Sequence, residues 1–141
     1  MNILNKIRLL SKICNLPNLK GEDALTNKIA MNLTGYTLDN KLKGIWFHVP
    51  NESVVSKENK LKDILRIQRK HCMGLINGVP DFVFISKDKT LFIEIKTEKG
   101  RLSESQIYFR DWCVDEQIDY YVARSVEEVT DILQRNKLLT A

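Results

Sequence analysis

The order of helix-like and strand-like stretches predicts an α/β domain built around a mixed sheet, and three observations carry that prediction. Two amphipathic stretches precede the first strand-like run. Two short apolar runs, Phe82 to Ile85 and Leu91 to Lys96, flank the polar turn Lys87-Asp88-Lys89 as a β-hairpin does. Helical and strand periodicities then alternate once more to the C-terminus. The predicted order is α-α-β-α-β-β-α-β-α, which packs as helices against a sheet of mixed direction. A chain of 141 residues supports one core and not two, so residues 1–141 read as a single domain with 1–20 as a helical extension.

Residues 2 to 16 carry an apolar stripe at Ile3, Ile7, Leu10 and Cys14, with Pro17 ending the predicted helix; it reads as a packing helix or a dimer arm. Lys6, Arg8 and Lys12 interrupt the apolar residues, so neither a signal-peptide core nor a membrane span can be drawn there. Glu22 opens a second helix with the stripe Leu25, Ile29 and Leu33, which Gly35 is expected to stop. Glu22 falls almost in line with that stripe at about 100° per residue. Two readings stand for it: a first-turn carboxylate favoured by the helix dipole, or an acidic group aimed at a site.

Ile45-Trp46-Phe47-His48-Val49 reads as a strand closed by Pro50-Asn51. His48 in such a setting is a structural histidine or a general base. Lys57 to Cys72 is a predicted helix with Leu61, Ile64, Leu65, Gln68 and Cys72 inward. Its other faces carry Lys57, Lys60, Lys62, Arg66, Arg69 and Lys70, which suit either a solvated surface or a phosphate backbone. Gly74 and Gly78 mark a loop that bends or approaches something closely. Ser103-Glu104-Ser105-Gln106 matches a capping box and starts a helix to about Glu116, with Ile107, Phe109, Trp112 and Cys113 as buried candidates. Asp119 to Ala123 is the last strand, and Ser125 starts a closing helix with Val126, Val129, Ile132 and Leu133 inward.

Composition narrows the function classes. With 43% hydrophobic and 28% charged residues the chain is that of an ordinary globular protein. Its formal net charge of +4 is compatible with a polyanionic partner. Cys14, Cys72 and Cys113 are odd in number and widely spaced, which argues against a disulfide framework and a zinc site and fits an intracellular, reducing compartment.

The hairpin holds most of the chemistry. Alternation along a strand puts Leu91, Ile93 and Ile95 on one face and Phe92, Glu94 and Lys96 on the other. Asp81 lies at the end of the hairpin far from its turn, close to Lys96. Two carboxylates and an ammonium are thus expected to converge on one sheet edge. A hard cation such as Mg²⁺ prefers oxygen ligands, which Asp81, Glu94 and a strand carbonyl supply, and Lys96 beside it suits the activation of water for attack on a phosphodiester.

Pro80-Asp81 followed by Glu94-Ile95-Lys96 resembles the bipartite signature of the PD-(D/E)XK nuclease superfamily, and Gly100-Arg101-Leu102-Ser103-x-x-Gln106 resembles its VRR-NUC branch. The resemblance is close from Gly78 to Trp112 and looser back to Glu22. It implies a restriction-endonuclease-like αβββαβ core and a divalent-metal-dependent DNA endonuclease, in a family that includes small stand-alone proteins resembling Holliday-junction resolvases, so branched DNA is one candidate substrate among flaps, duplex and single strands. Its implied metal set is Asp81, Glu94 and the Ile95 carbonyl, with Glu22 a further candidate ligand. Lys96, Gln106 and Glu22 complete the catalytic group, and Mg²⁺ or Mn²⁺ is the cofactor, with no organic cofactor. Lys99, Arg101, Arg66, Arg69, Lys70 and Asn51 are expected to contact nucleic acid. A homodimer is expected because cutting both strands of a junction needs two sites related by a two-fold axis, with the N-terminal helix and Leu138-Leu139 as candidate interfaces. The alternative is a non-cleaving nucleic-acid-binding module that keeps the nuclease fold.

Overall fold

The structure is a computed structural model that describes residues 1–50 and 55–140. Its elements are α1 (Ile3–Leu10), α2 (Gly21–Leu38), β1 (Ile45–His48), α3 (Lys60–Cys72), β2 (Phe82–Ile85), β3 (Thr90–Ile95), α4 (Glu104–Asp115), β4 (Asp119–Ala123) and α5 (Val126–Arg135), the order that the sequence predicts. The four strands form one sheet in the order β1-β2-β3-β4. β1 and β2 pair antiparallel, as do β2 and β3, while β3 and β4 run parallel and are joined through α4.

Alternation along the strands gives the sheet two covered faces. On one, Phe82, Phe84, Leu91, Ile93, Ile95 and Ala123 pack with Ile29 and Leu33 of α2 and Val129, Ile132 and Leu133 of α5. On the other, the Phe109 ring of α4 meets Phe92 edge-on at 5.8 Å between centroids. Burying these apolar side chains, at roughly 1.5–3 kcal/mol each, is the main force that fixes the register.

Five expectations are corrected. The first helix stops at Leu10 and buries no residue, because the Asn27 side chain bonds the backbone of Leu16 and Cys14 and draws that segment out of helical conformation. Gly35 does not stop α2. Its cost of about 1 kcal/mol is outweighed by the burial of Ile29 and Leu33, and the chain turns instead at Asn40, which has φ +55. α3 has the predicted period, but Leu61 and Leu65 are 71% and 55% exposed, and Ile64 and Cys72 also face solvent. β1 and β2 are antiparallel neighbours, so their connection has no sheet face to cross, and α3 lies within it outside the packed layers. Trp112 stays half-exposed against Phe109. Leu138 and Leu139 are buried, with Leu139 bridging to Leu42, and so offer no interface.

Candidate functional site

The hairpin register builds the site. Phe82 pairs with Ile93, so Asp81, just before β2, leaves the same face as Glu94 on β3. Asp81 joins three strands, since its carbonyl accepts from Val49 N–H at 2.8 Å and its carboxylate Oδ2 accepts from Ile95 N–H at 2.7 Å. Because β3 is flanked on both sides, the cluster sits at the ends of the strands, at the end of the hairpin far from its turn as the sequence predicts. That position explains why Glu94 is 1% and Lys96 7% exposed. Lys96 Nζ lies 3.1 Å from Glu94 Oε1 and 3.6 Å from Glu22 Oε1 at the start of α2.

The two readings of Gln106 coexist. Its Oε1 accepts from Ser103 N–H at 2.8 Å to complete the capping box of α4, and its Nε2 donates to Glu94 Oε1. The cap therefore sets the rotamer that reaches the carboxylate. The loop from Thr97 to Arg101 closes over the cluster. A Cβ on Gly100 would lie 3.3 Å from both Glu22 Oε1 and Lys96 Cδ, so only a small residue lets the loop approach. Arg124, just after β4, pins this loop by donating to the carbonyls of Thr97, Glu98 and Gly100, leaving Lys99 and Arg101 exposed.

Burial first, and then the neighbouring Asp81 charge, push the Glu94 carboxyl up to about 7. Asp81 is raised too, by burial, against the opposing pull of the Ile95 N–H. Between the ordinary 4.5 and about 7 the folded protein therefore binds more protons than the unfolded chain, and stability falls as pH rises through that window. Metal-free protein is expected to melt higher at about pH 5 than at about pH 7.5, with Glu94 contributing at most about 3 kcal/mol. Thermal unfolding in EDTA checks this. The fall should shrink in Glu94→Gln, and a melting temperature that rises with pH would contradict it.

The donor set fits a hard cation. Glu94 Oε2 is buried and has no hydrogen-bond partner among the described residues, and two carboxylates that disfavour each other's charge are stabilised by a positive ion between them. Among the described residues no three His, Cys, Asp or Glu side chains form a complete cage. Mg²⁺ is commonly held by one or two carboxylates with waters and substrate phosphate, so a third carboxylate is not required. Ile95 lies between Glu94 and Lys96 in sequence and is fully buried, and its N–H is the donor to the Asp81 carboxylate.

The remaining predicted residues fall in different places. Glu22 is half-exposed beside Lys96. Arg69 and Lys70 are exposed on α3, and Arg66 there pairs with Asp63 at 3.2 Å. Asn51 lies outside the described residues. His48 packs on the Phe82 ring at 5.3 Å and, with Glu22 and Asp81, lines one end of a cleft of about 860 Å³ that runs past Trp46 toward α1. Sequence reasoning missed Arg124 and Tyr120. Arg124 follows a strand and matches no motif. Tyr120 reads simply as one apolar strand residue among several, although its hydroxyl is buried without a partner among the described residues.

A four-stranded mixed sheet flanked by helices, with this cluster at the strand ends, is a restriction-endonuclease-like α/β fold. The family model described as the VRR-NUC domain matches residues 22–127, and the chain belongs to that nuclease family. A solved structure described as a VRR_NUC domain protein superposes with a TM-score of 0.57 at 21% identity, covering 85% of this chain and 93% of that one. At that identity the likeness shows the fold. No curated protein matches the chain in sequence.

Proposed function

We propose that the protein is a divalent-metal-dependent DNA endonuclease that acts as a homodimer on branched substrates. The observation that carries the reading is the buried Glu94 carboxylate, held on one oxygen by Lys96 and Gln106 and without a hydrogen bond from the described residues on the other, beside Asp81. Asp81, Glu94 and the Ile95 carbonyl would hold Mg²⁺ or Mn²⁺. The ion would supply a water of lowered pKa and neutralise phosphate charge.

The chain's own residues do the rest. Lys96 holds the attacking water or a phosphate oxygen from its place 3.1 Å from Glu94, and Glu22 on its other side keeps the ammonium aimed outward from the sheet. Gln106 prevents Glu94 from swinging away. Lys99 and Arg101 grip phosphates on either side of Gly100, and Arg is suited to bidentate contact. The basic arc of α3 adds contacts that do not read sequence. Two-fold pairing would present one site to each strand of a junction.

The test is cleavage of a panel of four-way junction, flap, duplex and single-stranded DNA with Mg²⁺, Mn²⁺ or EDTA, with the solution mass of the active species read on the same sample. Cutting is expected only with metal, fastest on branched DNA, from a species with the mass of two chains. Cutting that persists in EDTA sinks the metal mechanism. Binding without cutting under every condition would make the protein a binding module.

A further inference from the structure

We infer that the Tyr120 hydroxyl is the hydrogen-bond donor, direct or through one water, that positions the free oxygen of Glu94 when that carboxylate carries a divalent cation. The inference rests on the metal-dependent reading above and adds a positioning residue that the sequence motifs do not contain.

The parallel register of β3 and β4 pairs Phe92 with Tyr120 and Glu94 with Val122. Tyr120 and Glu94 therefore leave the same sheet face, one pair apart on adjacent strands, within reach of a long side chain. α4 covers that face, with Phe109 on Phe92 and Cys113 buried. Two buried side-chain polar atoms there have no hydrogen bond among the described residues, and they are Glu94 Oε2 and the Tyr120 hydroxyl. One is an acceptor and the other has a proton to give.

Of the other groups near the hydroxyl, the Asp81 carboxylate already accepts from Ile95 N–H through Oδ2. The Arg110 guanidinium is a donor and is taken up by Asp111 at 2.9 Å, and the Cys113 thiol accepts weakly. A phenol hydroxyl holds its proton at neutral pH and so is available as a donor. Two orphaned buried groups each carry a desolvation cost in the metal-free protein. A cation that fixes the carboxylate in its charged form makes it a stronger acceptor, and the hydroxyl then supplies the outer contact that ligating carboxylates usually have.

The experiment compares wild type, Tyr120→Phe and Tyr121→Phe. Mn²⁺ affinity is read by electron paramagnetic resonance of the free ion, and melting temperature is read in EDTA. Tyr120→Phe should bind Mn²⁺ about tenfold more weakly, yet melt about 2–3 °C higher without metal because a buried orphan is gone. Tyr121 points to the opposite face, where its hydroxyl and Asn136 bond at 3.2 Å, so Tyr121→Phe should melt lower with unchanged Mn²⁺ affinity. Wild-type Mn²⁺ affinity in Tyr120→Phe overturns the inference and leaves the metal reading intact. A lower metal-free melting temperature in Tyr120→Phe also overturns it, since the hydroxyl would already have a partner. A wild-type protein that binds no Mn²⁺ overturns the metal reading itself, and this inference with it.

Discussion

Asp81→Asn is expected to abolish cleavage while leaving the protein folded and, without metal, more stable than the natural chain. The two effects have opposite signs because the side chain does two separable things. Its Oδ2 accepts from Ile95 N–H at 2.7 Å, and the amide oxygen of Asn accepts equally well, so the strand ends stay joined. Its charge faces the Glu94 carboxylate and disfavours ionisation there, so removing it relieves the folded state. What Asn cannot supply is an anionic ligand. Losing one of two carboxylates should cost about 4 kcal/mol of transition-state stabilisation, or roughly a thousandfold in rate.

Single-turnover cleavage and unfolding in EDTA measure the two halves of this expectation. A variant that cuts within about tenfold of the natural protein would remove Asp81 from the metal set. A lower melting temperature would show that the charge, and not the hydrogen bond, secures the strand ends. A binding module predicts neither a rate loss nor metal-sensitive stability.

Much of the fold was legible because the local patterns agreed with the packing. The alternation in Leu91, Ile93 and Ile95 names the buried face of β3, and the polar turn after Ile85 fixes which strand ends meet. The cluster of Asp81, Glu94 and Lys96 follows from that geometry alone. α3 shows the limit of such reasoning. Its apolar stripe is sound as helical periodicity, but periodicity reports which side chains share a face and not whether anything covers that face. α1 shows a second limit, since a side chain far along the sequence, Asn27, decides where the helix ends.

Inside the site the division is similar. Gln106 looked like a choice between cap and site because each role uses one side chain, yet its amide has an oxygen for Ser103 and a nitrogen for Glu94. Tyr120 was invisible because a hydroxyl's isolation is a property of three packed elements. Arg124 was invisible because its three carbonyl partners belong to a loop about 25 residues away, and loop closure over that distance leaves no local pattern.

Gly78→Ala is expected to cost about 3 kcal/mol or more. Gly74 and Gly78 look alike in sequence, and both have positive φ, +104 and +82. A Cβ on Gly74 meets nothing within 4 Å, so Gly74→Ala carries only backbone strain, about 1–2 kcal/mol. A Cβ on Gly78 would stand 2.2 Å from Ser105 O and 2.7 Å from Gln106 N, both backbone atoms of the first turn of α4. No rotamer change relieves that contact, so either the loop before Asp81 or the turn carrying Gln106 must move. Each is one half of the site, so cleavage should fall together with stability in Gly78→Ala and stay near normal in Gly74→Ala. Urea unfolding of the two variants separates strain from collision, and equal losses would show that the loop has room to yield at Gly78.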